Sequence, residues 1–145
     1  MEEPAGKTGI DPELLAQNRE RIRKARDLIL RLIRMDPEDD GALSGFYHGY
    51  YLQVNFSEVH PLMVLSLAKP YYLPLHINMF RSLNRANLQC ILGSHIINGD
   101  VGCYSFRLTQ WLFSELIEEQ FLQLLDRSLA AAEQGFAELL PESNL

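Results

Sequence analysis

Acidic residues near the front of the chain have the spacing of a calcium loop. Asp36, Glu38 and Asp40 stand two apart, as oxygen ligands do in the first half of an EF-hand. Gly41 follows at the turn position. Tyr47, however, stands where a bidentate glutamate closes such a loop, so the pattern favours a solvated acidic connection over a metal site.

Histidine and cysteine are the next side chains that could act in catalysis or bind a metal. The two cysteines, Cys90 and Cys103, lack C-x-x-C spacing. The histidines show neither H-E-x-x-H nor H-x-H spacing, and no G-x-S-x-G elbow is present. The sequence therefore predicts no catalytic residue, no metal site and no cofactor. The four histidines are His48, His60, His76 and His95.

Basic side chains could bind another macromolecule through their charge. Arg23 and Arg26 lie on a basic stripe that Glu20 and Asp27 interrupt. An interrupted stripe without aromatic side chains favours a solvated face, or a docking site for an acidic partner, over a nucleic-acid site. Arg23 and Arg26 are therefore candidate protein-binding residues.

Aromatic side chains are the second group of candidate protein-binding residues. Tyr51, Tyr71, Tyr72 and Trp111 fall in or beside predicted strands. Tyrosines that project from the second face of a sheet are common at interfaces. Packing within the sheet is the alternative for each of these four side chains.

Composition excludes several classes of protein. The chain has 145 residues, 47% of them hydrophobic, and a net charge of -6, which is typical of one globular domain. No apolar run reaches the length of a membrane span, and the first residues lack the regions of a signal peptide. The acidic balance argues against binding to nucleic acid or anionic lipid. We expect a cytoplasmic protein.

Helical patterns lie at both ends of the chain. Residues 1–10 show no periodicity and are predicted to form a flexible leader. Asp11-Pro12 is a helix-start signal, and the apolar spacing of three and four that follows predicts a helix that stops before Pro37. A second amphipathic pattern runs from Ile117 and stops at Pro141.

The middle of the chain alternates between loops and strand patterns. Asp36–Gly45 is predicted to be an acidic loop, and Gly49–Ser57 has the period of two of a half-buried strand. Leu62–Ala68 is a continuous apolar run and is predicted to be a strand covered on both faces. A moderately amphipathic helix is predicted from Leu75 to Leu88.

A hairpin is predicted after that helix. Ile91–Ile97 and Cys103–Thr109 flank Asn98-Gly99, a dipeptide that readily adopts the positive φ values of hairpin turns. If Cys90 belongs to the first strand and Cys103 lies opposite Ile96 or Ile97, the two thiols are about 20 Å apart and stay reduced.

These elements predict the fold class and the domain organisation. The order α-β-β-α-β-β-α, with local hairpins, is typical of an α+β domain. We expect an antiparallel sheet of about four to five strands with helices packed on it. One domain is predicted over residues 11–141, followed by a tail at 142–145.

Short motifs recur through the second half of the chain. Leu83-Asn84-Arg85-Ala86-Asn87 ends a helix, Gly93 follows in a strand, Asp100 and Gly102 lie in a turn, Phe106-Arg107 ends the next strand, and Glu118-Glu119-Gln120-Phe121 opens the last helix. This arrangement resembles the YbjN family of bacterial proteins, which share the type III secretion chaperone-like fold. The resemblance covers about Leu75–Leu139, and the earlier elements in topology only. It implies a non-enzymatic protein whose sheet carries helices on one face, that often dimerises, and that in secretion chaperones holds extended segments of other proteins.

Two functional hypotheses follow. The first is a cytoplasmic protein-binding module, chaperone-like or regulatory and homodimeric, whose partner covers the apolar run Leu62–Ala68. The alternative is a small-molecule sensor or an uncharacterised enzyme. Its pocket would lie near Tyr71, Tyr72, His76 and His95.

Charge is distributed unevenly between the terminal helices. Residues 11–34 carry seven basic and four acidic side chains, whereas residues 113–145 carry seven acidic ones and Arg127 alone. Opposite charges favour proximity. The first and last helices are therefore predicted to lie side by side, within one chain or across a dimer.

Overall fold

The computed structural model describes residues 11–140, which form one six-stranded antiparallel sheet and three α-helices. The α+β class is confirmed, and the sheet has six strands where four to five were expected. The strand order across the sheet is β1-β2-β3-β4-β6-β5. The elements are α1 (Pro12–Leu32), β1 (Asp36–Pro37), β2 (Leu43–Tyr47), β3 (Tyr50–Ser57), β4 (Leu62–Pro70), α2 (Ile77–Gln89), β5 (Ser94–Asn98), β6 (Cys103–Trp111) and α3 (Glu118–Leu139). The predicted leader and tail lie outside the described residues.

Helix α1 begins where the sequence predicts. The side chain of Asp11 accepts a hydrogen bond of 3.0 Å from the backbone N–H of Glu13, which satisfies one of the donors that a helix start leaves unpaired. Ile22, Ala25 and Ile29 form the predicted buried stripe. The cap therefore sets where α1 begins, and the buried stripe sets which side of it faces the core.

The two additional strands lie where an acidic loop was predicted. The loop prediction for Asp36–Gly45 is wrong, because β1 and most of β2 fall within it. The acidic side chains serve local turns: Asp40 accepts a hydrogen bond of 3.0 Å from the N–H of Ala42, and Glu38 accepts one from the Ser44 hydroxyl. These carboxylates organise the approach to β2.

The β2–β3 hairpin turns at two residues with positive φ. His48 has φ 51° and Gly49 has φ 84°, and Tyr47 pairs directly with Tyr50. A two-residue loop with positive φ at both positions is the tight turn that matches the twist of antiparallel strands. The turn sets the register that places Phe46 opposite Tyr51.

Strand β4 is buried on one face only, so the prediction of cover on both faces is wrong. Met63, Leu65 and Leu67 are fully buried, whereas the alternate residues from Leu62 to Ala68 are only partly buried. A nearly continuous apolar run cannot reveal this difference, because the partly buried set is also apolar except for Ser66. The apolar side chains on the second face of β4 are therefore not part of the core.

The β5–β6 hairpin is confirmed, with a correction to its register. Asn98 pairs with Cys103, so the loop spans residues 99–102, and the glycine with positive φ is Gly102 rather than Gly99. Cys90 lies at the end of α2 rather than in the hairpin, and both cysteines are free thiols.

One face of the sheet carries the core. Leu52, Leu67, Phe106 and His95 lie side by side across β3, β4, β6 and β5, and all four are buried. Helix α3 packs on β4 and β6 and also contacts α1 and α2, so the three helices share this face. Burying each large apolar side chain contributes roughly 1.5–3 kcal/mol to stability. The helices cover this face of the sheet and leave the other face open.

Helices α1 and α3, which were predicted to lie side by side, are in contact, but within residues 11–140 no ion pair joins them. Among residues 11–140 the ion pairs of α1 join Arg23 to Glu20 and Asp27, and Arg19 to Glu58. None of them reaches α3.

No helix within residues 11–140 is long and apolar enough to cross a membrane.

Candidate functional site

The face of the sheet turned away from the helices, here called the open face, carries exposed aromatic side chains at one end. Phe46 and Tyr51 meet edge to face with ring centroids 5.7 Å apart, and their exposed fractions are 79% and 39%. Tyr51 and Ala68 also line a shallow groove of about 240 Å³ together with Tyr72 and Val101. We call Phe46, Tyr51, Tyr72 and Val101 the Tyr51 cluster.

A second aromatic group lies at the other end of the open face. The rings of Trp111 and Phe113 stack with centroids 4.9 Å apart and an interplanar angle of 6°. His60 meets Trp111 edge to face at 6.3 Å. Trp111 is 45% exposed and Phe113 is 64% exposed. We call His60, Trp111 and Phe113 the Trp111 cluster.

A polar row separates the two clusters. Gln53, Ser66, Arg107 and Ser94 lie side by side across β3, β4, β6 and β5. Arg107 is exposed, and none of the ion pairs within residues 11–140 involves it. The open face is therefore apolar at its ends and polar, with a cation, between them.

Both edges of the sheet are shielded. At one edge β1 is two residues long and includes Pro37, which has no N–H to offer a further strand. At the other edge the Asn87 side chain is hydrogen-bonded to the backbone of β5. Its amide oxygen accepts from the His95 N–H at 2.6 Å, and its amide nitrogen donates to the His95 carbonyl at 2.9 Å. Strand addition is thus hindered at both edges, whereas the open face stays accessible.

On the helix side, a separate cleft of about 260 Å³ has His95 in its lining. Cys90, Gln134 and Glu138 also line this cleft. Gly135 lines the cleft as well, and it allows α3 to approach the two rings closely: a Cβ there would collide with the His95 ring and lie 2.6 Å from the Tyr104 hydroxyl.

The protonation state of His95 follows from its surroundings. Its Nδ1 lies 2.8 Å from the hydroxyl oxygen of Tyr104, which is fully buried. Burial raises the pKa of Tyr104, so the hydroxyl keeps its proton. Burial also lowers the pKa of His95, and the Glu138 carboxylate opposes that shift only in part. The hydrogen bond between Nδ1 and the Tyr104 hydroxyl therefore joins a neutral imidazole to a protonated phenol, and the imidazole tautomer sets which of them donates.

The candidate protein-binding residues fall in three places. Tyr51 and Trp111 lie on the open face, and Tyr72, 86% exposed, lies beside it. Tyr71 is buried, and its hydroxyl donates to the Leu139 carbonyl at 2.9 Å. Arg23 and Arg26 lie together on α1, in a cleft beside Asp40 and Glu58, and Arg26 donates to the Gly41 carbonyl at 2.9 Å.

The four residues predicted to share one pocket are separated in the structure. His95 lines the cleft against α3, whereas Tyr71 and Tyr72 line a different cleft beside Gly102. His76 lies at the start of α2. The single pocket expected for a sensor or enzyme is therefore not formed.

Phe46 and Phe113 are exposed aromatic residues that sequence reasoning missed, and Phe46 is the more exposed of the two. It was assigned neither to a strand nor to a site, although it is 79% exposed and lies opposite Tyr51. The signal for it was His48-Gly49, since a pair of residues suited to positive φ between two apolar stretches indicates a hairpin. That hairpin pairs Phe46 with Tyr51.

The depressed pKa of His95 predicts an acid-sensitive contribution to stability. Because the folded-state pKa lies below the unfolded value of about 6.5, the unfolded chain binds the proton first as the pH falls, and stability is lost from about pH 7 downward. We expect the free energy of unfolding, measured in urea between pH 7.5 and 5.5, to fall more steeply for the wild type than for His95→Gln. His60→Gln, at an exposed histidine, is the control. Equal slopes for the wild type and His95→Gln would contradict this assignment.

Known proteins share this fold. The crystal structure of YbjN from E. coli matches with a TM-score of 0.61 and 10% identity, over 81% of this chain and 88% of that one. A chain of the HopA1-SchA chaperone-effector complex matches with a TM-score of 0.53 and 11% identity, over 90% of this chain and 98% of that one. No curated protein matches the sequence.

The family is shown by the sequence itself. The model of the YbjN family, described as "putative bacterial sensory transduction regulator", matches residues 26–141. The match includes all six strands and helices α2 and α3, and it begins within α1. The expected family and the chaperone-like fold are thereby confirmed: this chain belongs to the YbjN family.

Proposed function

We propose that this protein is a non-enzymatic, cytoplasmic module that binds other proteins through the open face of its sheet, in a chaperone-like or regulatory role. One observation carries the proposal: the helices cover one face of a six-stranded sheet and leave the other exposed, with aromatic clusters at both ends. Exposed apolar patches rimmed by polar residues are typical of protein interaction sites.

The fold comparison supports a binding role. The matched chain of the HopA1-SchA structure comes from a chaperone-effector complex, so the same fold takes part in protein binding there. Large aromatic side chains are enriched among the residues that contribute most to interfaces. Tyr51, Tyr72 and Trp111 are such residues here, and Phe46 and Phe113 extend the clusters they belong to.

Selection from a random peptide library tests the open face. The variant Phe46→Ser/Tyr72→Ser/Phe113→Ser removes three aromatic side chains that are 79%, 86% and 64% exposed. We expect apolar-aromatic peptides selected on the wild type to lose about tenfold or more in affinity for this variant, because it lacks the anchors. Affinity is measured by fluorescence anisotropy.

A matched control separates the open face from general hydrophobicity. Ile77→Ser/Leu88→Ser/Ile91→Ser removes three apolar side chains that are 64%, 79% and 101% exposed on or next to α2. It should bind the peptides as the wild type does. Selection that enriches no peptide, or peptides that bind both triple variants equally, would refute the proposed function.

We also propose a homodimer in which α1 of one copy meets α3 of the other. Arg19, Arg23 and Arg26 give α1 a basic surface. Glu118, Glu119 and Asp126 line an open groove along α3 with Leu122 and Tyr47. Within one described chain no ion pair joins these two surfaces: Arg19 and Arg23 pair with Glu58, Glu20 and Asp27, all of them exposed. Exposed pairs contribute little stability, so a second copy's carboxylates can replace them.

Charge reversal tests the dimer. Arg23→Glu/Lys24→Glu/Arg26→Glu should dissociate a dimer seen by light scattering at low salt, because it places acidic residues against the acidic groove. Arg81→Glu/Arg85→Glu, a reversal on α2, should leave the mass unchanged. A monomeric wild type, or an unchanged mass after the α1 reversal, would exclude this dimer.

A second candidate function is the binding of a small polar molecule in the His95 cleft. The observation in its favour is that a buried, neutral imidazole lines a concave site together with Gln134 and Glu138. Concave sites with a few converging polar groups are the usual form of ligand pockets.

Displacing the His95 ring from the lining of the cleft tests this candidate. Gly135→Ala places a methyl group against His95 and Tyr104. A compound from a panel of small polar metabolites that raises the melting temperature of the wild type should fail to raise that of Gly135→Ala, whatever the variant's own baseline. The candidate is rejected if no compound stabilises the wild type, or if the same compound stabilises both proteins equally.

A further inference from the structure

The two clusters on the open face have a measurable separation along the strands. On β4, Ala68 lies opposite Tyr51 and Leu62 lies opposite Trp111. Six residues of a strand at about 3.3 Å each separate them by roughly 20 Å. A partner that contacts both clusters therefore needs two apolar anchors about this far apart.

A single cation lies between the clusters. Of the side chains that β3, β4 and β6 direct to the open face, Arg107 is the one that carries a charge. It pairs with Ser66, which is two residues from Ala68 and four from Leu62 on β4. Arg107 therefore lies about 7 Å from the Tyr51 end and about 13 Å from the Trp111 end.

Charge complementarity indicates what should face Arg107. No ion pair within residues 11–140 involves this guanidinium, whose planar donors match a carboxylate. When a partner covers the face, the arginine loses water and needs a new acceptor. A partner carboxylate at that point supplies it.

The shielded edges indicate the conformation of the partner. An extended segment laid across the open face would need acceptors and donors for its own backbone, and Pro37 and the Asn87 amide hinder its pairing at the edges. A helix satisfies its backbone internally. Helices already cover the other face of this sheet.

From these observations we infer that the open face binds an amphipathic helix of another protein, with two apolar anchors about 20 Å apart and a carboxylate between them that pairs with Arg107. At 1.5 Å of rise and 3.6 residues per turn, anchors fourteen residues apart lie on one face of a helix and are about 21 Å apart. The acidic residue lies four residues, about 6 Å, from the anchor that enters the Tyr51 cluster, on the same face. The inference rests on the proposed function and specifies the partner's chemistry.

Fluorescein-labelled synthetic helices test the inference by anisotropy. The host peptide is alanine-rich with leucine anchors fourteen residues apart on one face, and the position four residues from one anchor is Glu, Gln or Lys. We expect the Glu peptide to bind the wild type about five- to tenfold more tightly than the Gln peptide, and the Lys peptide to bind most weakly, because of the charge pair. Arg107→Glu should reverse the order of the Glu and Lys peptides.

Two controls complete the design. Arg85→Gln removes an exposed arginine on α2 and should leave the order of the peptides unchanged. A peptide with the same anchors and a central proline, which breaks the helix, should bind at least tenfold more weakly. Equal affinities for the Glu, Gln and Lys peptides, or undiminished binding of the proline peptide, would overturn the inference.

The results separate this inference from the function on which it rests. If library-selected peptides bind the open face but the designed helices show no preference for a central carboxylate, the inference fails and the protein-binding function stands. If neither selected nor designed peptides bind, both fail.

Discussion

The structure depends on the one-sided coverage of its sheet. Six antiparallel strands bury one face beneath three helices, and the row of Leu52, Leu67, Phe106 and His95 shows how continuous that burial is. The hydrophobic effect accounts for this face. It does not account for the exposed rings of Phe46 and Phe113 on the other side, and a binding function gives these side chains a physical reason.

The polar contacts at the edge of the sheet reinforce this asymmetry. Asn87 holds the outer edge of β5 through both backbone groups of His95, while the His95 ring meets Tyr104 inside the core. Gly135 permits the close approach of α3 to these two rings. Because the Asn87 side chain hinders the addition of a strand at this edge, the open face is the part of the sheet that a partner can reach.

Local signals in the sequence predicted part of this architecture. The Asp11 cap and the stripe of α1, the alternation of β3 and the β5–β6 hairpin depend on neighbouring residues, and each is found. Strand β2 depends on pairing with β3, and its acidic, glycine-containing approach has the composition of a turn. The family resemblance supplied the chaperone-like topology that periodicity alone left open.

The candidate site was less accessible to sequence reasoning, as two adjacent tyrosines illustrate. Tyr71 is buried, and its hydroxyl donates to the carbonyl of Leu139, 68 residues away, whereas Tyr72 is 86% exposed. Nothing local distinguishes them. Arg107 likewise became a candidate only when the register placed it between two aromatic clusters, a juxtaposition set by tertiary pairing.

Trp111, the only tryptophan of the chain, provides the most direct measurement of the central claim. It lies on the open face and is 45% exposed. The account predicts that acrylamide quenches its fluorescence in the free protein, and that a bound peptide shifts its emission to the blue and protects it from quenching. Fluorescence that resists quenching in the free protein, or that binding leaves unchanged, would contradict the claim that the open face is the binding surface.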